Sequence, residues 1–197
     1  MKKVRDLLAF GISALFSPYV TAAVFIIIIT YLNAKDIQQF LPWMGIAFLF
    51  AIMIPGGYIL WKVERKHIRD IHLSVHSERK IPFMITAISS TAGALALFGI
   101  GAAKPVVVMM TAYAVNAITV ALLTLFWKVS IHTALYSSVI TVLVILLGAW
   151  YGWLYLLLVP LAWSRIYRHR HSVGQVVGGA IIAFVSTSLV FWIFGYI

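Results

Sequence analysis

Residues 130–175, SIHTALYSSVITVLVILLGAWYGWLYLLLVPLAWSRIYRHRHSVGQ, decide the architecture. Polar chemistry sits at both ends, at Ser130-Ile131-His132 and at Ser164-Arg165 with His171, and the stretch between is overwhelmingly apolar. His132 and Ser164 are 32 positions apart. That separation fits a helical hairpin broken around Gly148-Ala149-Trp150-Tyr151-Gly152, each arm about 24 Å long. A hydrocarbon core about 30 Å thick slightly exceeds such an arm, so both polar ends are expected on one membrane face, a little inside its surface. A second hairpin, turning at Gly101-Ala102-Ala103-Lys104-Pro105, separates Arg79 from Ser130. It returns a third polar cluster, Asp70-Ile71-His72 running on to Glu78-Arg79, to the same face.

Composition agrees. Of 197 residues, 63% are hydrophobic and 10% charged, with mean hydropathy +1.02. So little polar surface cannot cover a soluble globule. The chain is expected to be an all-α, polytopic integral membrane protein with its active site at one membrane interface. At roughly 20 apolar residues per crossing, six or seven spans are predicted, near 11–32, 41–61, 83–101, 106–127, 131–148, 151–167 and 172–195. Met1-Lys2-Lys3-Val4-Arg5 has the basic character of a signal-peptide flank. The apolar run behind it is too long for a signal core, and no small-residue cleavage pattern closes it, so the segment is expected to be retained. There is no cysteine, which excludes disulfides and thiolate metal sites. With no internal repeat and no linker, residues 1–197 are read as a single membrane domain.

A net charge of +10 would suggest nucleic acid in a soluble protein, but in a membrane protein it reports topology. Basic residues gather beside membrane helices on the cytoplasmic side. On the seven-span reading, Lys2, Lys3, Arg5, Lys62, Arg65, Lys66, Arg69, Arg79, Lys80, Lys128, Arg165, Arg168 and Arg170 share one face, against Lys35 and Lys104 on the other. Discounting Arg79, Lys80, Lys128 and Arg165 as residues kept for chemistry still leaves nine against two. The polar clusters are therefore expected to be cytoplasmic, in a multi-pass protein of the cell's inner membrane. Trp61, Trp127 and Trp163 precede the clusters while Trp43, Trp150, Trp153 and Trp192 fall toward the other interface, as two aromatic belts.

All six histidines fall on the cluster face. His67, His76 and His169 lie in strongly polar runs and read as ordinary loop residues. His132 is different, because it starts a long apolar helix, where an ionisable group is costly and usually functional.

In order and spacing, these residues resemble the type 2 phosphatidic acid phosphatases, membrane relatives of bacterial acid phosphatases and vanadium haloperoxidases. That family carries a lysine, six residues and Arg-Pro, then Pro-Ser-Gly-His, then Ser-Arg, five residues, His, three residues and Asp. This chain has His72, six residues and Arg79-Lys80 with Pro82 close behind, then Val129-Ser130-Ile131-His132, then Ser164-Arg165, five residues, His171, three residues and Gln175. The resemblance covers about residues 70–180. It implies a phosphatase that needs no metal or other cofactor and works through a phosphohistidine. His171 would attack phosphorus, and His132 would protonate the leaving alcohol and then activate water. Arg79 and Arg165 would hold the phosphoryl oxygens in fork geometry, helped by Ser130, Ser164, His72, Lys80 and backbone amides at a helix start.

Four positions depart from the pattern: His72 for lysine, Lys80 for proline, Ile131 for glycine and Gln175 for aspartate. The family's aspartate orients the nucleophilic imidazole and stabilises its charge; a glutamine carbonyl accepts the same hydrogen bond without the charge. The partner implied is a lipid-linked phosphate or pyrophosphate: an isoprenoid or polyprenyl phosphate, phosphatidate or phosphatidylglycerophosphate. Two other classes compete. One is a non-catalytic lipid-phosphate binding or transport protein on the same scaffold. The other is a membrane di-iron enzyme, whose histidine boxes are faintly echoed by His72 with His76 and His169 with His171, but which needs more histidines than this chain has.

Overall fold

A computed structural model describes residues 2–71, 73 and 75–197. The described residues are helical, without strands, and the chain falls into two compact units: Met1–Thr21 with Lys128–Ile197, and Ala22–Trp127. Four helical stretches are long and apolar enough to cross a membrane: Ile37–Glu64, His76–Gly99, Lys104–Leu123 and Val173–Ile193. A fifth is the pair α1 (Lys2–Leu15) and α2 (Pro18–Asn33), if the two form one span across their break. Large apolar side chains on the outside, such as Ile88, Leu95 and Phe98, suit lipid contact.

In the first unit, α7 (Ile131–Leu147) ends at Gly148, whose φ of +114° is accessible to glycine and strained for other residues. The chain returns through a 3₁₀ stretch, Ala149–Leu157, and α8 (Leu158–Tyr167), and α9 (Val173–Ile193) follows. The expected hairpin is present, but neither arm is a regular span. At 17 residues α7 is about 25 Å long, and the return arm is half 3₁₀. Hydrogen bonds step in the same sense along α7 and α9: Thr133 Oγ1 to Val176 O at 2.8 Å, Ser137 Oγ to Ala180 O at 2.8 Å, and Ser138 Oγ with Thr187 Oγ1 at 2.8 Å. The two helices therefore run parallel, with their N-termini at one end. That end also receives the C-terminus of α8.

In the second unit, α3 (Ile37–Phe48), a π-helical turn (Leu49–Met53) and α4 (Ile54–Glu64) form one continuous stretch. The turn has a cause in the sequence. Pro55 has no N–H to give, and its ring crowds the carbonyl four residues back, which belongs to Ala51. Here that carbonyl accepts from the Tyr113 hydroxyl at 3.2 Å, and the neighbouring Phe50 carbonyl accepts from Ser89 Oγ. Orphaned carbonyls cost roughly several kcal/mol in hydrocarbon, so these two hydroxyls make the widened turn tolerable. After a 3₁₀ turn, His76–Arg79, the helices α5 (Lys80–Gly99) and α6 (Lys104–Leu123) pack as a hairpin around Gly101, at φ +70°. Of the tryptophans assigned to aromatic belts, Trp43 is buried in the protein, while the other six are exposed.

Candidate active site

Ser130 caps α7. It has extended backbone, its Oγ accepts from the Thr133 N–H at 3.5 Å, and it is fully buried. Serine suits this position because its short side chain satisfies an otherwise orphaned helix donor, worth about 1 kcal/mol. His132, one residue inside the helix, is 5% exposed.

The third cluster resolves into two helix ends and the turn between them. Ser164 and Arg165 lie in the last turn of α8, both buried. Ser164 Oγ donates to Leu161 O at 2.7 Å, and Arg165 Nη1 donates to Ser13 Oγ at 2.5 Å. Helix α8 then closes with Arg170 N–H on Arg165 O at 3.0 Å and His169 N–H on Ile166 O at 2.9 Å, while His169 takes a φ of +53°. This is a Schellman termination with histidine where glycine is the usual choice. His169 is thus accounted for as a turn residue. Beside it, the Arg168 guanidinium packs over the Phe10 ring at 5.2 Å, and its pKa is lowered by desolvation and by the charge of Arg170.

Helix α9 opens with a capping box. Ser172 Oγ accepts from the Gln175 N–H at 3.4 Å, and Gln175 Oε1 accepts from the Ser172 N–H at 3.2 Å. The same Oε1 lies 3.2 Å from His171 Nδ1. A carbonyl oxygen has two lone pairs, so it can cap the helix and orient the imidazole together. The main-chain carbonyl of Gln175 accepts from the Ser130 N–H at 3.1 Å. Gln175 therefore ties the second motif to the third. The Ser-x-x-Gln signature at 172–175 was readable as a helix start, and the sequence reading missed it.

The backbones also approach closely here. A Cβ placed on Gly179 would lie 2.7 Å from Ser130 O, too near for any side chain. Ile131 stands where the resembled family has glycine, and the close approach at Ser130 is supplied from α9 instead. Ser130, His132, Ser164, Arg165, His171 and Gln175 all belong to the first unit, on helix ends that the α7–α9 and α7–α8 packing brings together. The two parallel N-termini present positive dipole ends, and a buried guanidinium adds full charge. His132 and His171 are buried, whereas His67, His76 and His169 are exposed. Among the described histidines, burial separates His132 and His171 from the loop histidines.

The first motif belongs to the second unit. Arg79, 2% exposed, is its largest fully buried side chain; Nε donates to Leu73 O at 2.8 Å and the guanidinium lies 5.9 Å from the Phe83 ring centre. Leu73 has a φ of +50°, a strained value for a bulky residue, so Arg79 also fastens an unusual loop. Lys80 is exposed at the start of α5, and Pro82 lies buried in that helix's first turn, where proline is tolerated. His72 lies outside the described residues. Among the described residues, no three His, Asp or Glu side chains gather where a metal ion could be held. Comparison with family models, with curated proteins and with solved structures finds no match to this chain.

Proposed function

We propose that the chain is a lipid-phosphate phosphatase: a multi-pass inner-membrane enzyme of six or seven spans, hydrolysing a lipid-linked phosphate or pyrophosphate at its cytoplasmic face. The observation that carries the reading is the buried His171 with Nδ1 3.2 Å from Gln175 Oε1. A proton on Nδ1 donated to that carbonyl leaves the lone pair on Nε2, the tautomer a nucleophilic imidazole needs. In the proposed reaction Nε2 attacks phosphorus, the bond from phosphorus to the lipid oxygen breaks, and His132 gives that oxygen its proton. His132 then takes a proton from water, the hydroxide attacks phosphorus, the P–N bond breaks, and His171 is regenerated. Arg165 and the amides at the starts of α7 and α9 balance charge on the phosphoryl oxygens. His72, Arg79 and Lys80 enter the proposal through their motif spacing alone.

The test is phosphate release from a panel of lipid phosphates by the purified full chain, with and without a metal chelator. Release that survives chelation, with an acid-labile phosphoryl label on the protein, is expected. No release from any member overturns the reading. Binding of a lipid phosphate without release would identify the second reading, a non-catalytic lipid-phosphate binding or transport protein. It is favoured by one observation: Gln175 is neutral, and its Oε1 also serves the Ser172 N–H. Topology has its own test. Single cysteines at His67 and Lys35, both exposed, are expected to leave only position 35 open to an impermeant thiol reagent in intact cells, and the reverse pattern would place the site outside.

A further inference from the structure

Helix α1 lies outside the stretch that resembles a phosphatase, yet it meets the third motif directly. Arg165 Nη1 donates to Ser13 Oγ across 152 positions of sequence, and Ser13 is itself 2% exposed. The contact is not isolated. Tyr167 donates its hydroxyl proton to Asp6 Oδ1 at 2.9 Å, Arg168 covers Phe10, and the Phe16 ring meets Tyr136 of α7 edge-on at 4.9 Å. Helix α1 is thus fastened along the helix that carries Arg165. An arginine side chain has many rotamers, and freezing one is costly unless neighbours hold it. A fork that must accept a phosphoryl group gains most when a second group fixes its plane beforehand.

We propose that Ser13 is a positioning residue that holds the Arg165 guanidinium in the orientation required to bind a phosphoryl group. The inference rests on the phosphate-binding reading of Arg165. With water largely excluded from the pair, the serine oxygen orients one edge of the guanidinium. The interaction extends the site to a helix outside residues 70–180.

The experiment titrates inorganic phosphate into the purified full chain by calorimetry, beside turnover of a lipid phosphate. Ser13→Ala is expected to raise the phosphate Kd about 10-fold, the scale of losing one hydrogen bond to a charged group. Ser13→Thr, which keeps the hydroxyl, should restore affinity to within about 2-fold of the parent. In an Arg165→Lys background the further loss from Ser13→Ala should fall below about 2-fold, because coupled residues are non-additive. Tyr167→Phe loosens α1 at Asp6 without touching Arg165 and should leave phosphate affinity unchanged. Should Ser13→Ala fail to fold, Ser13→Cys, close in volume and a weak acceptor, carries the same expectation.

Parental affinity in Ser13→Ala, or an equal loss in Tyr167→Phe, overturns the inference. If the parent binds phosphate with the expected pattern but hydrolyses no lipid phosphate, the catalytic reading fails and the role of Ser13 stands. If the parent binds no phosphate, both fail.

Discussion

The α5–α6 and α7–α9 pairs are both contacts between apolar helices, yet among the described hydrogen bonds only the second pair is joined by hydroxyls that cross from one helix of the pair to the other. In α5 and α6, Thr86, Ser90, Thr91, Thr111 and Thr119 return their hydroxyls to carbonyls of their own helix, four residues back. In α7, Thr133, Ser137 and Ser138 reach across to α9. A back-bonded hydroxyl says nothing about the neighbouring helix. One that crosses fixes which turn of one helix faces which turn of the other, in a solvent where apolar contact alone discriminates poorly. The difference follows from what each pair must hold. A register slip of one turn in α7–α9 would part Ser130 from Gln175 and, with it, the start of α7 from His171. The α5–α6 pair turns at Gly101 and packs closely at Gly93, where a Cβ would lie 2.7 Å from Met110 Cε.

The largest test removes what the crossing hydroxyls are proposed to hold in place. His171→Ala is expected to lower lipid-phosphate turnover by at least about 1,000-fold, since a nucleophile has no substitute. His169→Gly, two residues away, should retain turnover within about 3-fold, because it only relaxes a left-handed turn position. The two variants are compared by initial rates at matched folded protein. An active His171→Ala would detach the chemistry from the α7–α9 junction.

Gln175 comes next, because it serves both the junction and the imidazole. Gln175→Leu removes the Oε1 acceptor and should cost about 10- to 1,000-fold in rate, or roughly 1.4 to 4 kcal/mol of barrier. It also breaks half of the capping box, so stability should fall by about 1 kcal/mol. Gln175→Glu keeps the acceptor and the box and adds a negative charge beside the imidazolium. Its single-turnover rate is expected to equal or exceed the parent's, and it places more negative charge at a helix start, where it is favourable. Equal single-turnover rates for Gln175→Leu and the parent would leave Gln175 as a helix cap alone.

Much of this framework was legible in the sequence, for physical reasons that also mark where reading stops. Gly101 and Gly148 were readable as turns because each interrupts a long apolar run, and both have positive φ. Apolar length placed the starts and ends of most helices within a few residues, the short α7 included, but it did not reveal that Ala149–Leu157 is 3₁₀. The span predicted at 11–32 is broken at Phe16 and Ser17, just before Pro18, which starts α2. Pro55 gave a local signal for the π-helical turn, but its partners, Ser89 and Tyr113, lie far along the chain. The i, i+4 relation of His171 to Gln175 was readable from spacing. The contact of Ser13 with Arg165 was not, since no local pattern connects residues so distant in sequence.

The smallest test addresses the hydroxyl ladder itself. Ser138 and Thr187 are buried and share a hydrogen bond 2.8 Å long between side chains, so a double-mutant cycle can isolate their coupling. Hydrogen bonds between membrane helices average only about 0.6 kcal/mol and reach about 1.7 kcal/mol, because the separated helices find other partners. Ser138→Ala and Thr187→Val are therefore expected to couple by about 0.6 kcal/mol in reversible unfolding from mixed micelles. Thr86→Val in α5 removes a hydroxyl bonded to Pro82 O of the same helix, and its coupling to Thr111→Val in α6 should be indistinguishable from zero. Turnover should remain at the parental value in all four single variants. Position 138 lies about 9 Å along α7 from His132, and the bonds from Thr133 and Ser137 still hold the register nearer the site. Zero coupling between Ser138 and Thr187 would mean that the close approach at Gly179 and general packing set the α7–α9 register, and that the crossing hydroxyls merely satisfy themselves.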